Sequence, residues 1–274
     1  MERTTQERAP KGADQLSPGR KPWVKWGIQP SPVGTAQALT HIHKLVAIVT
    51  AMRMELAPLL RGKRAQQVDG VELFEIDSVV VALSGIGKKA ARRAAEAVIR
   101  HVQPELLVSA GIAGAVSPKL KVGDVGWARE VVDAETGVRY RTRGGDWLLV
   151  TAQAVSGPAE KRELLQRYGA DIVDMESAAV ASVAVKHGLE FAVVKAISEE
   201  ADFVMPPLSR FVGEGGRFAT GRFMGYVALR PQLWPVVNKL RANSREASVH
   251  LSSAVEHLIG EYLNSHREEN VPQA

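Results

Sequence analysis

Two kinds of hydrophobic pattern alternate along the chain from Leu45 onward. Short runs rich in Val, Ile and Leu predict buried strands. These runs are Leu45–Val49, Val71–Ile76, Val79–Leu83, Leu106–Ala110, Asp124–Val132, Trp147–Ala154, Ile172-Val173 and Glu190–Ile197. Stretches with helical spacing of apolar residues lie between them and after them. They are Met54–Leu60, Gly87–Val102, Glu160–Tyr168, Glu176–His187 and most of Arg217–Leu263, with breaks at Arg230-Pro231 and Trp234-Pro235. Strands that are apolar on both faces and alternate with helices indicate an α/β fold with a largely parallel sheet.

Residues 1–43 follow neither pattern. Five prolines stand there among polar and charged residues, which is typical of a disordered tail. We therefore expect a basic, Pro-rich tail over residues 1–43, one domain over 44–265 and a C-terminal tail over 266–274.

The charge of the chain is concentrated in the N-terminal tail. The 274 residues carry a formal charge of +5, and residues 1–44 hold seven basic and three acidic residues. The remainder is nearly neutral, so a broad phosphate-binding surface is not expected and neither is a nucleic-acid partner.

Cysteine is absent, which excludes disulfides, thiol nucleophiles and thiolate metal sites. The longest uncharged stretch of the core, Leu106–Pro118, is too short to span a bilayer. The N-terminal charges are not followed by an apolar segment like that of a secretory signal. We therefore expect a cytoplasmic protein without membrane insertion.

Acidic residues and glycine-rich segments follow the predicted strands. In strand order these are Glu55, Ser84-Gly85-Ile86-Gly87, Gly111-Ile112-Ala113-Gly114, Asp174-Met175-Glu176 and Ser198-Glu199-Glu200. Because ligands bind beyond the carboxyl ends of the strands of such sheets, these groups are expected in one crevice. The set suits acid–base chemistry on a small polar substrate. The alternative is structural: carboxylates in first turns stabilise helix dipoles, and glycines allow close packing.

The Ser84–Ala90 segment also contains the pattern G-x-G-x-x-A between a strand and a helix, which is a weak dinucleotide fingerprint. That fingerprint requires an acid at the end of the following strand. Glu105 has the right spacing but precedes its strand, so NAD binding is disfavoured.

Five segments occur here in an order that resembles the nucleoside phosphorylase superfamily, in particular the 5′-methylthioadenosine/S-adenosylhomocysteine nucleosidases. They are Thr50–Glu55, Ser84–Lys88, Ala110–Gly114 with Leu120–Asp124, Val173–Ala178 and Val194–Ser198. The resemblance covers about Leu45–Asp202. It implies a three-layer α/β domain whose twisted, partly closed mixed sheet is flanked by helices. It also implies cleavage of a ribosyl N-glycosidic bond with neither metal nor organic cofactor, in a homodimer.

The resemblance assigns roles to particular residues. Glu55 matches the glutamate that activates water. Met175 and Glu176 match the pair that holds the ribose, and Ser198 with the acid after it, Glu199, matches the group that protonates the leaving purine. Such an acid must hold its proton near neutral pH, which burial favours. Ser84, Gly85 and Gly111 are further candidates for substrate binding.

The chain departs from the family pattern at two of these positions. Glu199 stands where the family has aspartate, and its extra methylene shifts the carboxyl group; Asp202 is a second acid within reach of the loop. Ala154-Val155-Ser156 stands where a base-stacking aromatic is expected, so Val155 is the candidate contact to the base and adenine specificity is open.

Hydrolysis of a methylthioadenosine- or adenosylhomocysteine-like purine nucleoside is the reaction that the residues favour. Phosphate would need arginines or a nest of backbone donors. The glycine segments could form nests, but neither contains arginine. The alternatives are a phosphorylase, including one acting on a lipid-linked adenosyl compound, and a nucleoside-binding protein without catalysis. The segment Phe203–Phe223, rich in Pro, Gly and aromatics, is either a lid or pocket for the substrate tail or a surface loop.

Overall fold

The computed structural model describes residues 46–269, apart from the side chains of residues 214 and 263–269. The predicted N-terminal tail lies outside the described residues, as does most of the predicted C-terminal tail.

A mixed sheet forms the centre of the described region. Its strands are β1 Val46–Thr50, β2 Gln66–Val68, β3 Val71–Ile76, β4 Val79–Leu83, β5 Leu106–Ala115, β6 Val125–Asp133, β7 Arg139–Arg141, β8 Trp147–Thr151, β9 Ile172–Asp174 and β10 Glu190–Glu199. They pair in the order β2-β3-β4-β1-β5-β9-β8-β6-β10, with β7 on β6. Strand β10 also pairs with β5, which closes five strands into a barrel and leaves the others as an extension. The sheet is mixed as predicted, although only half of its ten pairings are parallel.

Helices cover both faces of the sheet. They are α1 Lys88–Val102, α2 Pro158–Tyr168, α3 Ser177–His187, α4 Thr220–Ala228 and α5 Trp234–Glu269. Helices α1 and α3 pack together, and their alanines and valines form one core with residues from the near face of the sheet. The alternate residues of β1 and β5 are also buried, and α5 packs on β5 and β10. The three-layer α/β architecture expected from the sequence is therefore present.

Three predicted elements differ in detail. The helix expected over Met54–Leu60 is a 3₁₀ turn, Arg53–Leu56, because Pro58 lacks the N–H that a longer helix needs. The strand expected to end at Ala110 continues through the glycines to Ala115. The break expected at Trp234-Pro235 is the start of α5, where a first-turn proline costs no hydrogen bond.

Candidate active site

A crevice opens at the carboxyl ends of β1 and β4, beside the middle of β5. Its lining consists of Val49, Thr50, Ala51, Glu55, Ser84, Ser109, Ala110, Gly111, Glu176 and Lys195. Four of the residues predicted from the sequence, Glu55, Ser84, Gly111 and Glu176, are thus brought together. The parallel pairing of β1 with both β4 and β5 places the ends of β1 and β4 next to the glycine-containing middle of β5.

Glu55 is fixed at the bottom of this crevice by the turn that follows β1. Its Oε2 atom accepts hydrogen bonds from the Thr50 hydroxyl (2.6 Å) and from the backbone N–H groups of Ala51 (2.8 Å) and Met52 (3.1 Å). Among the described residues, no group donates to its Oε1 atom. Burial raises the pKa of Glu55, although the Thr50 hydrogen bond and the charge of Lys195 act against the shift. One carboxylate oxygen is thus held rigidly and the other remains for a ligand.

Glu176 stands at the N-terminus of α3 and is partly exposed to solvent. Its Oε1 atom accepts from the N–H of Gly87 (2.6 Å), at the start of α1, and its Oε2 atom accepts from the N–H of Met175 (3.2 Å). Burial and then the charge of Asp174 raise the pKa of Glu176 to about 8, which Lys195 offsets only in part. A carboxyl group in this state can keep its proton near neutral pH.

Lys195 is the cation that these acids share. Its Nζ atom lies 3.0 Å from Oδ2 of Asp174 and 3.3 Å from the Ser109 hydroxyl, and the side chain is almost fully buried. Burial alone would lower the pKa of Lys195, but the charges of Asp174, Glu176 and Glu55 outweigh it and the pKa is raised. One ammonium therefore faces three carboxyl groups.

Gly111 keeps the space between Glu55 and Lys195 open. A Cβ atom at this position would lie 3.3 Å from Nζ of Lys195 and 3.4 Å from Oε2 of Glu55. Because Gly111 lies within β5, the glycine segment predicted as a turn is a strand whose lack of side chains admits charged groups from its neighbours.

Glu199 lies apart, at the end of β10, in a second buried ion pair. Its Oε1 atom is 3.2 Å from Nζ of Lys161 on α2, and its Oε2 atom accepts a hydrogen bond from the hydroxyl of Ser198. Lys161 also donates to the carbonyl of Glu200 (3.1 Å), and both charged side chains are buried. Gly114 provides the room for this pair, since a Cβ there would overlap Oε1 of Glu199.

The remaining predicted residues are not among those that line the crevice. Gly85 adopts φ 84° in the turn after Ser84, and Met175 is half-buried beside Glu176. The Ser198 hydroxyl lies 3.4 Å from the carbonyl of Ala113 on β5. Val155 is half-buried in the segment after β8.

The segment after β10 covers the turn that precedes α1. The carbonyl of Gly216 accepts the N–H of Ile86 (2.8 Å), and a Cβ on Gly216 would come within 2.7 Å of that nitrogen. A Cβ on Gly85 would lie 3.0 Å from the carbonyls of Gly215 and Gly216. Part of the predicted lid-or-loop segment is therefore packed against the wall of the crevice.

Sequence reasoning missed the two buried lysines and the role of Asp174. A signal was present for Lys195, because it stands in the middle of an apolar strand whose other charged residues lie at its ends, and such a lysine requires buried acids as partners. Lys161 carried no signal: α2 is rich in charge and only the packing shows which of its lysines is buried.

Within residues 46–269, no helix is both long and apolar enough to cross a membrane. The same region contains no group of three or more His, Cys, Asp or Glu side chains placed to hold a metal ion.

Comparison with protein families gives a match to the model of the phosphorylase superfamily over residues 45–147 and 148–211. Solved structures share the fold at low identity. A mutant of 5′-methylthioadenosine/S-adenosylhomocysteine nucleosidase from Helicobacter pylori, with 5′-methylthioadenosine in its active site, is 20% identical; the match covers 78% of this chain and 98% of that one, with a TM-score of 0.57. Futalosine hydrolase of H. pylori is 20% identical, with 80% and 100% covered and a TM-score of 0.58. The nucleosidase of Colwellia psychrerythraea, in complex with adenine, is 19% identical, with 79% and 94% covered and a TM-score of 0.61.

Proposed function

Because this chain belongs to the phosphorylase superfamily of enzymes, we propose that it hydrolyses the N-glycosidic bond of a purine nucleoside of the methylthioadenosine or adenosylhomocysteine type. The observation that carries the proposal is the convergence of Glu55 and Glu176 on one crevice around Lys195. Cleavage through an oxocarbenium-like transition state needs a carboxyl group that activates the nucleophile, and a second carboxyl group in the crevice can hold the sugar that carries the developing charge.

Glu55 is the group that we assign to water activation. Its Oε2 atom is occupied by three donors, so its Oε1 atom is the one that accepts a proton from water. Burial raises the pKa of Glu55, and the charge of Lys195 opposes this shift and so helps the group to ionise, as a general base must; Gly111 leaves space for the water beside both groups.

Glu176 is the group that we assign to the ribose hydroxyls, with Met175 against the sugar. Its two oxygens are oriented by the N–H groups of Gly87 and Met175. A fixed carboxyl group can accept hydrogen bonds from the ribose hydroxyls, and these bonds are stronger when the group is ionised, because charged acceptors form stronger bonds than neutral ones. Ser84, Gly85 and Gly111 would complete the contacts on the surrounding strand ends.

Glu199, supported by Ser198, stays our proposal for the proton donor to the leaving base. The C1′–N9 bond breaks, the water oxygen bonds to C1′, its proton passes to Glu55, and the base receives a proton from Glu199. Its Oε1 atom is paired with Lys161 and its Oε2 atom accepts the Ser198 hydroxyl, so its carboxyl group is held in one position. Val155 is the proposed neighbour of the base.

The charges of the crevice favour water over phosphate as the nucleophile. The lining of the crevice contains two carboxyl groups, Glu55 and Glu176, beside the ammonium of Lys195, and it contains no arginine. Lys88, at the start of α1, is bound to Asp133 (2.9 Å) and to Glu135. A phosphate dianion entering this crevice would be repelled by either carboxyl group in its ionised form, whereas an uncharged water molecule would not.

An assay of base release from methylthioadenosine, adenosylhomocysteine, adenosine and inosine, with and without phosphate, tests the proposal. We expect base release in phosphate-free buffer, with the free sugar as the second product: ribose from adenosine and inosine, and the 5-thio-substituted ribose from methylthioadenosine and adenosylhomocysteine. Glu55→Gln should lower turnover by about a thousandfold, since it removes the general base but keeps the shape of the site. Glu163→Gln, an exposed substitution on α2, is the control. Formation of ribose 1-phosphate only when phosphate is present would replace hydrolysis by phosphorolysis, and binding without turnover would exclude both.

A further inference from the structure

The corner where α4 ends and α5 begins combines exposed apolar side chains with unpaired cations. Leu229 is 81% exposed, Met224 53% and Trp234 50%. The exposed face of α4 also includes Gly221, Gly225 and Ala228, so its only charged group is Arg222. A helix whose solvent-facing side is apolar lacks the polar face usual for a surface helix.

The inner side of the same helix already has its packing partners. Phe223 and Val227 are buried in a cluster with Phe211, and the rings of Phe211 and Phe223 lie 5.3 Å apart. The outer face therefore remains uncovered although the helix is anchored. Trp234 is tied to the corner, since its indole N–H donates to the carbonyl of Val227 (3.0 Å).

The charge around this corner has one sign. Between residues 215 and 245 the sequence has six basic residues and no acidic one. They are Arg217, Arg222, Arg230, Lys239, Arg241 and Arg245. Within the described region none of them forms an ion pair; Arg230 stacks on the ring of Tyr226 and Lys239 lies 5.7 Å from the ring of Phe203. The positive charge of these side chains would attract an anionic partner.

We propose that the α4–α5 corner, Thr220–Arg245, binds the surface of an anionic lipid bilayer. Exposed Leu, Met and Trp next to Arg and Lys are the side chains that enter the interface and contact anionic headgroups. The inference goes beyond the reaction proposed above and does not depend on it. It would set the crevice close to the lipid, because the chain from Gly216, packed on Ile86, reaches α4 within four residues.

Two other occupants fit the corner less well. A second copy related by a twofold axis would place this face against itself, and the six cations would then repel each other. A nucleic acid would use the cations, but it offers the aliphatic side chains of Leu229 and Met224 no apolar surface to enter.

Co-sedimentation of the full chain with vesicles of phosphatidylcholine containing phosphatidylglycerol tests the proposal, with pure phosphatidylcholine vesicles as the reference. We expect binding to the anionic vesicles only, and weaker binding as salt is raised. Leu229→Ser should weaken it by about tenfold through lost insertion, and Arg222→Gln by about fivefold. Trp234→Phe should keep binding but lose most of the vesicle-induced change in tryptophan emission.

Matched controls separate the corner from the rest of the protein. Val185→Ser removes an exposed apolar side chain on α3, and Arg162→Gln an exposed cation on α2; neither should change vesicle binding. The basic residues of the segment 1–43 are present in every variant, so a difference in binding between two variants reports on the corner.

Equal binding by wild type and Leu229→Ser would overturn the proposal, as would equal binding to neutral vesicles. Binding of a single-stranded oligonucleotide that Arg222→Gln abolishes, without vesicle binding, would assign the corner to nucleic acid. Conversion of a dimer to a monomer by Leu229→Ser, again without vesicle binding, would assign it to a second copy.

Discussion

Two buried lysines each face acidic side chains around β10, but the two groups differ in their balance of charge. Lys195 faces Asp174, Glu176 and Glu55 in a crevice. Lys161 faces Glu199, and its remaining hydrogen bond goes to the carbonyl of Glu200. The first group contains three carboxyl groups and one ammonium, whereas the second contains one carboxyl group and one ammonium.

This difference distinguishes a candidate catalytic site from an ion pair that joins two secondary-structure elements. A buried carboxylate without its own cation has a raised pKa and can exchange protons, and such groups gather at functional sites. A buried pair with one charge of each sign holds two elements together and resists titration. We propose Glu199 as the catalytic acid from the sequence resemblance, yet it lies in a buried pair with one charge of each sign. Variants of both groups of charges therefore test its role.

Replacing each lysine by methionine should give the largest effects. Lys195→Met leaves three buried acids without a cation, so the free energy of unfolding should fall by about 3–5 kcal/mol at neutral pH and turnover should be lost. The loss should be smaller in acidic buffer, where the acids take up protons. Lys161→Met leaves one acid uncompensated, so we expect a smaller loss of stability and a partial loss of turnover, because Glu199 then loses the partner that positions its carboxyl group.

Urea unfolding followed by circular dichroism and a pH profile of base release measure both effects. Lys63→Met, at an exposed position, serves as the control. Equal losses of stability and turnover in the two variants would show that the two groups of charges do not differ in kind. Full wild-type turnover in Lys161→Met would remove Glu199 from the reaction.

The fold and the crevice acids could largely be predicted from the sequence. Apolar runs fixed most strand positions to within one or two residues, and Glu55 and Glu176 follow strand ends where a ligand site is expected. The family resemblance had placed these acids together, and the lining of the crevice contains both.

The sequence could not predict what neutralises these acids. The partners of Asp174 are Lys195 from β10, Thr151 from β8 and Ser177 from α3, which come together only when the sheet closes. Likewise, a glycine run looks the same whether it forms a turn or a strand with room for charged neighbours. Long-range pairing decides such questions, and local patterns carry no information about it.

Alanine at the two strand glycines should give effects of intermediate size. Gly114→Ala places a methyl group onto Oε1 of Glu199 and 2.9 Å from Nζ of Lys161, so we expect about 2 kcal/mol of destabilisation from overpacking. Gly111→Ala meets its neighbours at 3.3 Å or more and should fold nearly as well as wild type. Its methyl group would occupy the space proposed for water and lower turnover by about a hundredfold.

Both glycines lie in β5, and neither has a positive φ, so the pair compares packing and not backbone strain. Denaturant unfolding and base release are measured on the same preparations. A Gly111→Ala variant with full turnover would place the reacting water elsewhere, and an unaffected Gly114→Ala variant would show that the Lys161–Glu199 pair moves freely.

Removing one acid from each group should change the stability of the protein in opposite directions. The pKa of Glu176 rises from its ordinary 4.5 to about 8 on folding, so the folded state holds this proton more tightly. The resulting stability is fully present below pH 4.5 and is lost as the pH rises through about 8. Glu176→Gln should therefore unfold with a flatter pH dependence and be more stable than wild type above pH 8, by about 2 kcal/mol since the side chain is partly exposed.

Glu199→Gln should instead lower stability, because it leaves Lys161 as an uncompensated buried cation. Glu163→Gln, exposed on α2, should follow the wild-type pH dependence of the unfolding free energy. If Glu176→Gln destabilises the protein at alkaline pH as Glu199→Gln does, the crevice is not overcharged with acid. Phosphate would then be as acceptable a nucleophile as water, because only an excess of negative charge around Lys195 disfavours it.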